Sequence, residues 1–86
     1  MDEAKKNLVE VKAKMSGIFY RKPAPEEPPY VDVGTVVKKK QVLALLETMK
    51  VFQKVKSPAA GKIVDILVEN EAAVKDEEVM FVIEKE

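Results

Sequence analysis

Hydrophobic and polar positions alternate along most of the chain. From Leu8 onward, Val9, Val11 and Ala13 fall on one side and Glu10, Lys12 and Lys14 on the other. A period of two predicts a strand with one face buried. Gly17 marks a bend, and Ile18-Phe19-Tyr20 begins a second strand. Val31 to Val37 returns to apolar alternation with a bend at Gly34. Val42 to Leu46 is an unbroken apolar run. Its length and flanking turns predict a strand buried on both faces, a short helix being the alternative on periodicity alone. Phe52 to Lys56, Lys62 to Val68 and Val79 to Ile83 read as further strands. They are separated by Ser57-Pro58-Ala59-Ala60-Gly61, Glu69-Asn70-Glu71 and Lys75-Asp76-Glu77-Glu78, which carry turn chemistry. Residues 1–7 form a polar lead-in, and residues 8–86 form one domain.

Two features break this rhythm. Residues 21–30 hold Pro23, Pro25, Pro28 and Pro29, four of the five prolines of the chain. Proline has no N–H to give a sheet interior, and closely spaced prolines favour an extended or turning path. The segment is expected to project between strands. The second feature is an internal repeat. Val11 to Gly17 resembles Val55 to Gly61 at an offset of 44, and Val37 to Glu47 resembles Val74 to Glu84 at an offset of 37. The difference between the offsets places about seven extra residues in the first half, where the prolines lie. The fold predicted is all-β. It is a flattened barrel or sandwich of two four-stranded antiparallel halves, related by a pseudo-two-fold and interrupted by one inserted loop. The halves join at the turn containing Lys50.

Composition narrows the chemistry. The chain has 86 residues, 47% of them hydrophobic and 35% charged, which suits one small globular domain without a deep catalytic cleft. Fifteen basic and fifteen acidic residues cancel, which argues against a partner that is a nucleic acid or a membrane surface. Lys38-Lys39-Lys40 has no interleaved aromatics and reads as a solvated turn. There is no cysteine and no histidine, so thiolate chemistry, disulfides, the commonest general base and the commonest metal ligands are absent. No metal site is expected, and Ser16, Ser57, Tyr20 and Tyr30 have no histidine to activate them. Pairs among Glu26, Glu27 and Asp32 read as surface charge. The chain has no apolar stretch of membrane-spanning length and no signal-peptide pattern, so a cytoplasmic location is expected. Lys50 lies in a short turn between an apolar strand and a mixed one and reads as displayed there for modification; taken alone it is one lysine among fourteen, and the case for it depends on what surrounds it.

Glu47-Thr48-Met49-Lys50-Val51, with the apolar strand before it and Ser57-Pro58-Ala59-Ala60-Gly61 after it, resembles the attachment site of biotinyl domains. Gly17-Ile18-Phe19-Tyr20-Arg21, followed by the proline segment and Val31-Asp32-Val33-Gly34, resembles one branch of that family: the biotin carboxyl carriers of acetyl-CoA carboxylases, whose inserted loop is called a thumb. The resemblance runs from about Leu8 to Ile83. It implies a non-catalytic carrier in which a biotin–protein ligase attaches biotin covalently to Lys50. The carrier would move a carboxyl group from biotin carboxylase to a carboxyltransferase, for transfer to an acyl-CoA. It further implies that Glu47, Thr48, Met49 and Val51 meet the ligase, and that the thumb, at Pro23, Ala24 and Pro25, folds toward the biotin. Thr48 and Val51 depart from the usual alanine and methionine or leucine. Lys40 stands where glycine is common, Lys54 where glutamate is, and Lys14 where proline is. Two other readings stay open. Lipoyl domains share the fold and the Glu-Thr pair, although Met49 and the thumb do not fit them. An unmodified module that occupies a carrier's binding surface is the other.

Overall fold

A computed structural model of the chain describes residues 7–49 and 51–86. Lys50 and most of the polar lead-in lie outside the described residues. The described chain forms eight strands: β1 (Leu8–Lys12), β2 (Gly17–Tyr20), β3 (Val36–Val37), β4 (Val42–Glu47), β5 (Phe52–Lys56), β6 (Gly61–Ile66), β7 (Ala73–Val74) and β8 (Val79–Lys85). They make two four-stranded antiparallel sheets, ordered β1-β8-β6-β3 and β5-β4-β2-β7. The expected all-β sandwich of eight short strands is what forms. Each sheet takes two strands from each half of the chain, so the halves interlock and neither sheet closes without both.

The repeat is repeated in the hydrogen bonds. β1 pairs with β8 in the register Leu8↔Glu84 and Val9↔Ile83, and β5 pairs with β4 as Phe52↔Glu47 and Gln53↔Leu46. Those are the same pairs after the offsets of 44 and 37. The loops match as well. Lys40 N–H donates to the Ser57 carbonyl at 2.7 Å, and Glu77 N–H to that of Ala13 at 2.8 Å. Lys38 N–H donates to Gln41 Oε1 and Lys75 N–H to Glu78 Oε1, both at 2.9 Å. Positive φ recurs in pairs: Lys40 (76°) with Glu77 (74°), and Gly34 (98°) with Glu71 (70°). A left-handed backbone costs an L-residue roughly 1–2 kcal/mol, and glycine gives back part of the gain through its own freedom in the unfolded chain. Lys40→Gly is therefore expected to stabilise the domain by about 0.5 kcal/mol, read as a higher urea midpoint at unchanged slope.

Alternation in the sequence becomes inside and outside here. Val11, Phe19, Val37, Leu43, Leu46, Ile63, Val74, Met80, Phe81 and Ile83 are buried in one core between the sheets. Phe19 of β2 and Phe81 of β8 meet across it with ring centroids 5.7 Å apart. β4 has Leu43, Ala44 and Leu46 buried and Val42 and Leu45 half-buried, close to the two-sided burial expected of its apolar run.

Two local expectations change. Gly17 is the first residue of β2, paired with Val74, and is not a bend. Residues 31–35 are not strand. Thr35 N–H donates to the Asp32 carbonyl at 3.0 Å and Asp32 N–H to Thr35 Oγ1 at 2.9 Å, a turn that needs Gly34 left-handed; Gly34 N–H and the Thr35 carbonyl still bond Ile63 of β6, at 2.7 and 2.9 Å, and the regular ladder begins at Val36. The turn's own hydrogen bonds, one of them to the Thr35 side chain, take Asp32 and the Thr35 N–H out of the ladder. Lys38–Lys40 are exposed in a turn, as expected. Lys12, Lys14, Lys54 and Lys56 flank a groove of about 500 Å³ between the two edge strands β1 and β5. Charges on exposed edges discourage sheet-to-sheet association.

Candidate functional site

The β4–β5 hairpin puts the sequence-selected residues together at one end of a sheet. Glu47 closes β4 and pairs with Phe52, which opens β5. Beyond that pair, Thr48 backbone N–H and Thr48 Oγ1 both donate to the Val51 carbonyl, at 2.9 and 3.1 Å. The connection is therefore tied across its base, and the threonine hydroxyl adds a second tie that alanine could not make. Met49 is 100% exposed and Val51 53% exposed, so neither side chain is held by the core. Lys50 stands between them in the sequence, outside the described residues. An apolar pair on an exposed turn has no packing reason to be apolar.

Tyr20, the last residue of β2, reaches the same place from the next strand. Its hydroxyl donates to Glu47 Oε1 at 2.9 Å, and its ring lies 5.9 Å from that of Phe52. The hydrogen bond to the Glu47 carboxylate, with burial and the charges of Glu47 and Glu71, pushes the phenol above its ordinary value. The fold thus favours the neutral phenol. Its contribution to stability is full at neutral pH and is lost as the pH rises through the raised value.

The proline segment is ordered by its own chemistry. Glu27 N–H donates to the Ala24 carbonyl at 3.0 Å, a β-turn with Pro25 at its second position, where the proline ring already sets the required φ. Tyr30 N–H donates to the Arg21 carbonyl at 2.9 Å and closes the base. Arg21 staples that base. One guanidinium nitrogen donates to the Val31 carbonyl at 2.9 Å and to Asp32 Oδ1 at 2.7 Å, and its backbone N–H donates to Asn70 Oδ1 at 2.8 Å. The ion pair alone is partly exposed and weak; its combination with two backbone anchors is what fixes the loop. A cleft of about 200 Å³ lies between the projection and the outer sheet face, walled by Pro23, Ala24, Pro25, Tyr20, Leu45 and Phe52. Lys22, Asn70 and Glu71 also line it.

The structure thus brings Glu47, Thr48, Met49 and Val51 to one tip, and sets Pro23, Ala24 and Pro25 against a cleft that shares Phe52 with it. Sequence reasoning did not single out Tyr20, Arg21 or Phe52 for this site. The signal available for Tyr20 and Phe52 was an aromatic on the outward register of a strand, where the equivalent positions in the other half, Val64 and Leu8, are aliphatic. No helix among the described residues is long and apolar enough to cross a membrane.

A family model described as "biotin-requiring enzyme" matches residues 9–83. The chain is 43% identical over 81 residues to the biotin carboxyl carrier protein of acetyl-CoA carboxylase 1, chloroplastic, of Arabidopsis thaliana, covering 94% of this chain and 29% of that one. It is 42% identical over 81 residues to the corresponding chloroplastic protein of Glycine max, covering 94% of this chain and 31% of that one. The chain thus spans about a third of the length of these curated relatives. Among solved structures, a single-chain, multi-domain long-chain acyl-CoA carboxylase contains a region of the same fold, with TM-score 0.79 at 19% identity over 93% of this chain and 7% of that one.

Proposed function

Because this chain belongs to the family of biotin-requiring enzymes, we propose that it is a biotin carboxyl carrier whose attachment point is Lys50. A biotin–protein ligase would join the carboxyl group of biotin to Lys50 Nζ as an amide, which removes the lysine's charge. The bound cofactor supplies a ureido nitrogen able to hold a carboxyl group, and the protein contributes position. The partners would be biotin carboxylase, which loads that group, and a carboxyltransferase, which passes it to an acyl-CoA. The carrier itself catalyses neither step. The observation that supports this reading most is the tip itself. Thr48 is tied to Val51 at the base of the β4–β5 connection, Met49 is fully exposed and Val51 more than half, and the cleft walled by the projecting loop lies beside them. Met49 and Val51 would give the ligase an adaptable apolar contact that no core requirement explains.

The cleft suits the head of biotin. Pro23, Ala24, Pro25, Leu45 and Phe52 offer apolar walls for a fused ring, and Lys22, Asn70 and Glu71 offer polar groups for its ureido. In this reading the thumb shields the ring between visits to the two partner sites, while the tether keeps it at high effective concentration for both.

Coexpression with a biotin–protein ligase, followed by intact mass and peptide mapping, tests the assignment. A single biotin adduct on the peptide containing Lys50 is expected. A lipoyl adduct in its place, after coexpression with a lipoate ligase, would overturn it. A second expectation concerns the thumb. Arg21 and Tyr30 are already joined by a 2.9 Å hydrogen bond, so removing residues 22–29 leaves only a short gap to close. That variant should fold and accept biotin but transfer its carboxyl group to acyl-CoA several-fold less efficiently, a change of about 1 kcal/mol in the barrier. Normal transfer by the deletion variant would reduce the thumb to a connector.

A further inference from the structure

We propose that Tyr20 is a positioning residue for the tip. By donating to Glu47 Oε1 and packing its ring against Phe52, it locks the end of β4 to the start of β5 and ties both to the root of the thumb.

The internal repeat supplies the comparison that carries this. Both halves of the chain build the same three-strand corner, in the same register as far as Phe19↔Leu46 and Ile63↔Ile83; beyond that rung β2 continues with Tyr20↔Leu45, whereas β6 bulges between Ile63 and Asp65. In one half, Ile18 pairs with Glu47 and Phe52 with Glu47; in the other, Lys62 pairs with Glu84 and Leu8 with Glu84. The glutamate and the rungs at and next to it are therefore common to both corners. The side chains laid over them are not. Where the first corner has Tyr20 and Phe52, the second has Val64 and Leu8, which can form neither a hydroxyl bond to the glutamate nor an aromatic pair. The corner folds without them. They occur only in the half whose corner ends in the Lys50 turn.

The geometry fits a latch. Tyr20 lies opposite Leu45 in the register, and its hydroxyl reaches diagonally two residues along β4 to Glu47, at the last rung before the turn. The next residue, Arg21, anchors both ends of the thumb through Val31, Asp32 and Asn70. Tip and thumb are thus linked through two successive residues. The raised phenol agrees with a bond that favours the protonated hydroxyl, Glu47 being the first cause and Glu71 the other charge bearing on it.

The functional part of this inference rests on Lys50 being the ligase's target, so the test has one arm with the ligase and one without. In the ligase arm, Tyr20→Phe keeps the ring and removes the hydroxyl. It should raise the ligase's KM for the carrier roughly fivefold, the size of one exposed bond to a charged group, with kcat little changed. In a Glu47→Ala background, which removes the acceptor, Tyr20→Phe should add no further loss, because the contact it breaks is already gone. In the other arm, the Tyr20 phenol is titrated by absorbance in a Tyr30→Phe background, so that it titrates alone. Glu47→Gln should bring it down toward the ordinary tyrosine value. Amide exchange at Thr48 should also quicken in Tyr20→Phe. A KM within twofold of the parent, multiplicative effects in the double variant, or a phenol unmoved by Glu47→Gln would each overturn the latch. A parent chain that takes no biotin would count against the carrier function alone, and titration and exchange would still decide the latch.

Discussion

Gly61→Ala is expected to lower the melting temperature by roughly 10–25 °C, a loss of about 3 kcal/mol in a domain of this size. Gly61 opens β6 and pairs with Lys85 of β8. A Cβ there would run into the Glu84 carbonyl and come within 2.9 Å of Ile83 Cγ2. The obstacle is the backbone of a central strand hydrogen-bonded on both sides, to β1 and to β6, so it cannot turn away as a flexible side chain would. Relief requires β6 to lift from β8, which opens the core at Ile63 and Ile83. Gly17→Ala meets the equivalent obstacle in the other half, the Glu47 carbonyl at 2.5 Å. Its strain falls on the last residue of β4, so besides losing stability that variant should be a poorer ligase substrate. Chemical denaturation of both variants checks the claim. A change under about 0.5 kcal/mol for Gly61→Ala, the range of an ordinary surface substitution, would show that the sheet yields freely.

Lys50→Arg should abolish biotin incorporation and carboxyl transfer while leaving stability within about 0.5 kcal/mol of the parent. Arginine keeps the charge and most of the length, but its guanidinium stays protonated at any working pH and is no nucleophile toward an activated carboxyl group. Stability should not change because the residues on either side contribute little packing: Met49 is fully exposed and Val51 more than half. The separation of the two readouts is the point of the experiment. An unfolded variant would lose biotin for a trivial reason, whereas an intact melting curve with no adduct isolates the amine. Thirteen other lysines would remain after the change. Transfer of the adduct to one of them would mean that the ligase reads the tip without requiring Lys50. Retained carboxyl transfer by the variant would support instead the unmodified interaction module.

Much of the architecture was readable before any coordinates. The period-two runs at Val9–Ala13 and Ile63–Val68 and the apolar run at Val42–Leu46 marked strands, because burial of one or both sheet faces leaves that imprint on side-chain type. The offsets of 44 and 37 anticipated a pseudo-two-fold that the structure carries down to single hydrogen bonds and to the φ angles of Lys40 and Glu77. The glycine commonly found at the position of Lys40 has a physical reason in that positive φ. The misreadings were local. Residues 31–35 alternate as a strand would, yet Thr35 and Asp32 bond each other and make a turn. Gly17 reads as a bend, yet its lack of a side chain serves close approach to β4.

The sequence alone determined the fold class, the repeat, the insertion and the place of the connection between β4 and β5. These follow from short-range pattern and from which reactive residue types are present or missing. Only the tertiary structure decided how the halves interlock across two sheets, and that Tyr20, Phe52 and the thumb converge on the tip. Those contacts join residues distant in the chain, such as Tyr20 and Glu47, and their distances depend on sheet order and register. Strand pattern constrains which face a residue occupies, but not which strand lies beside it.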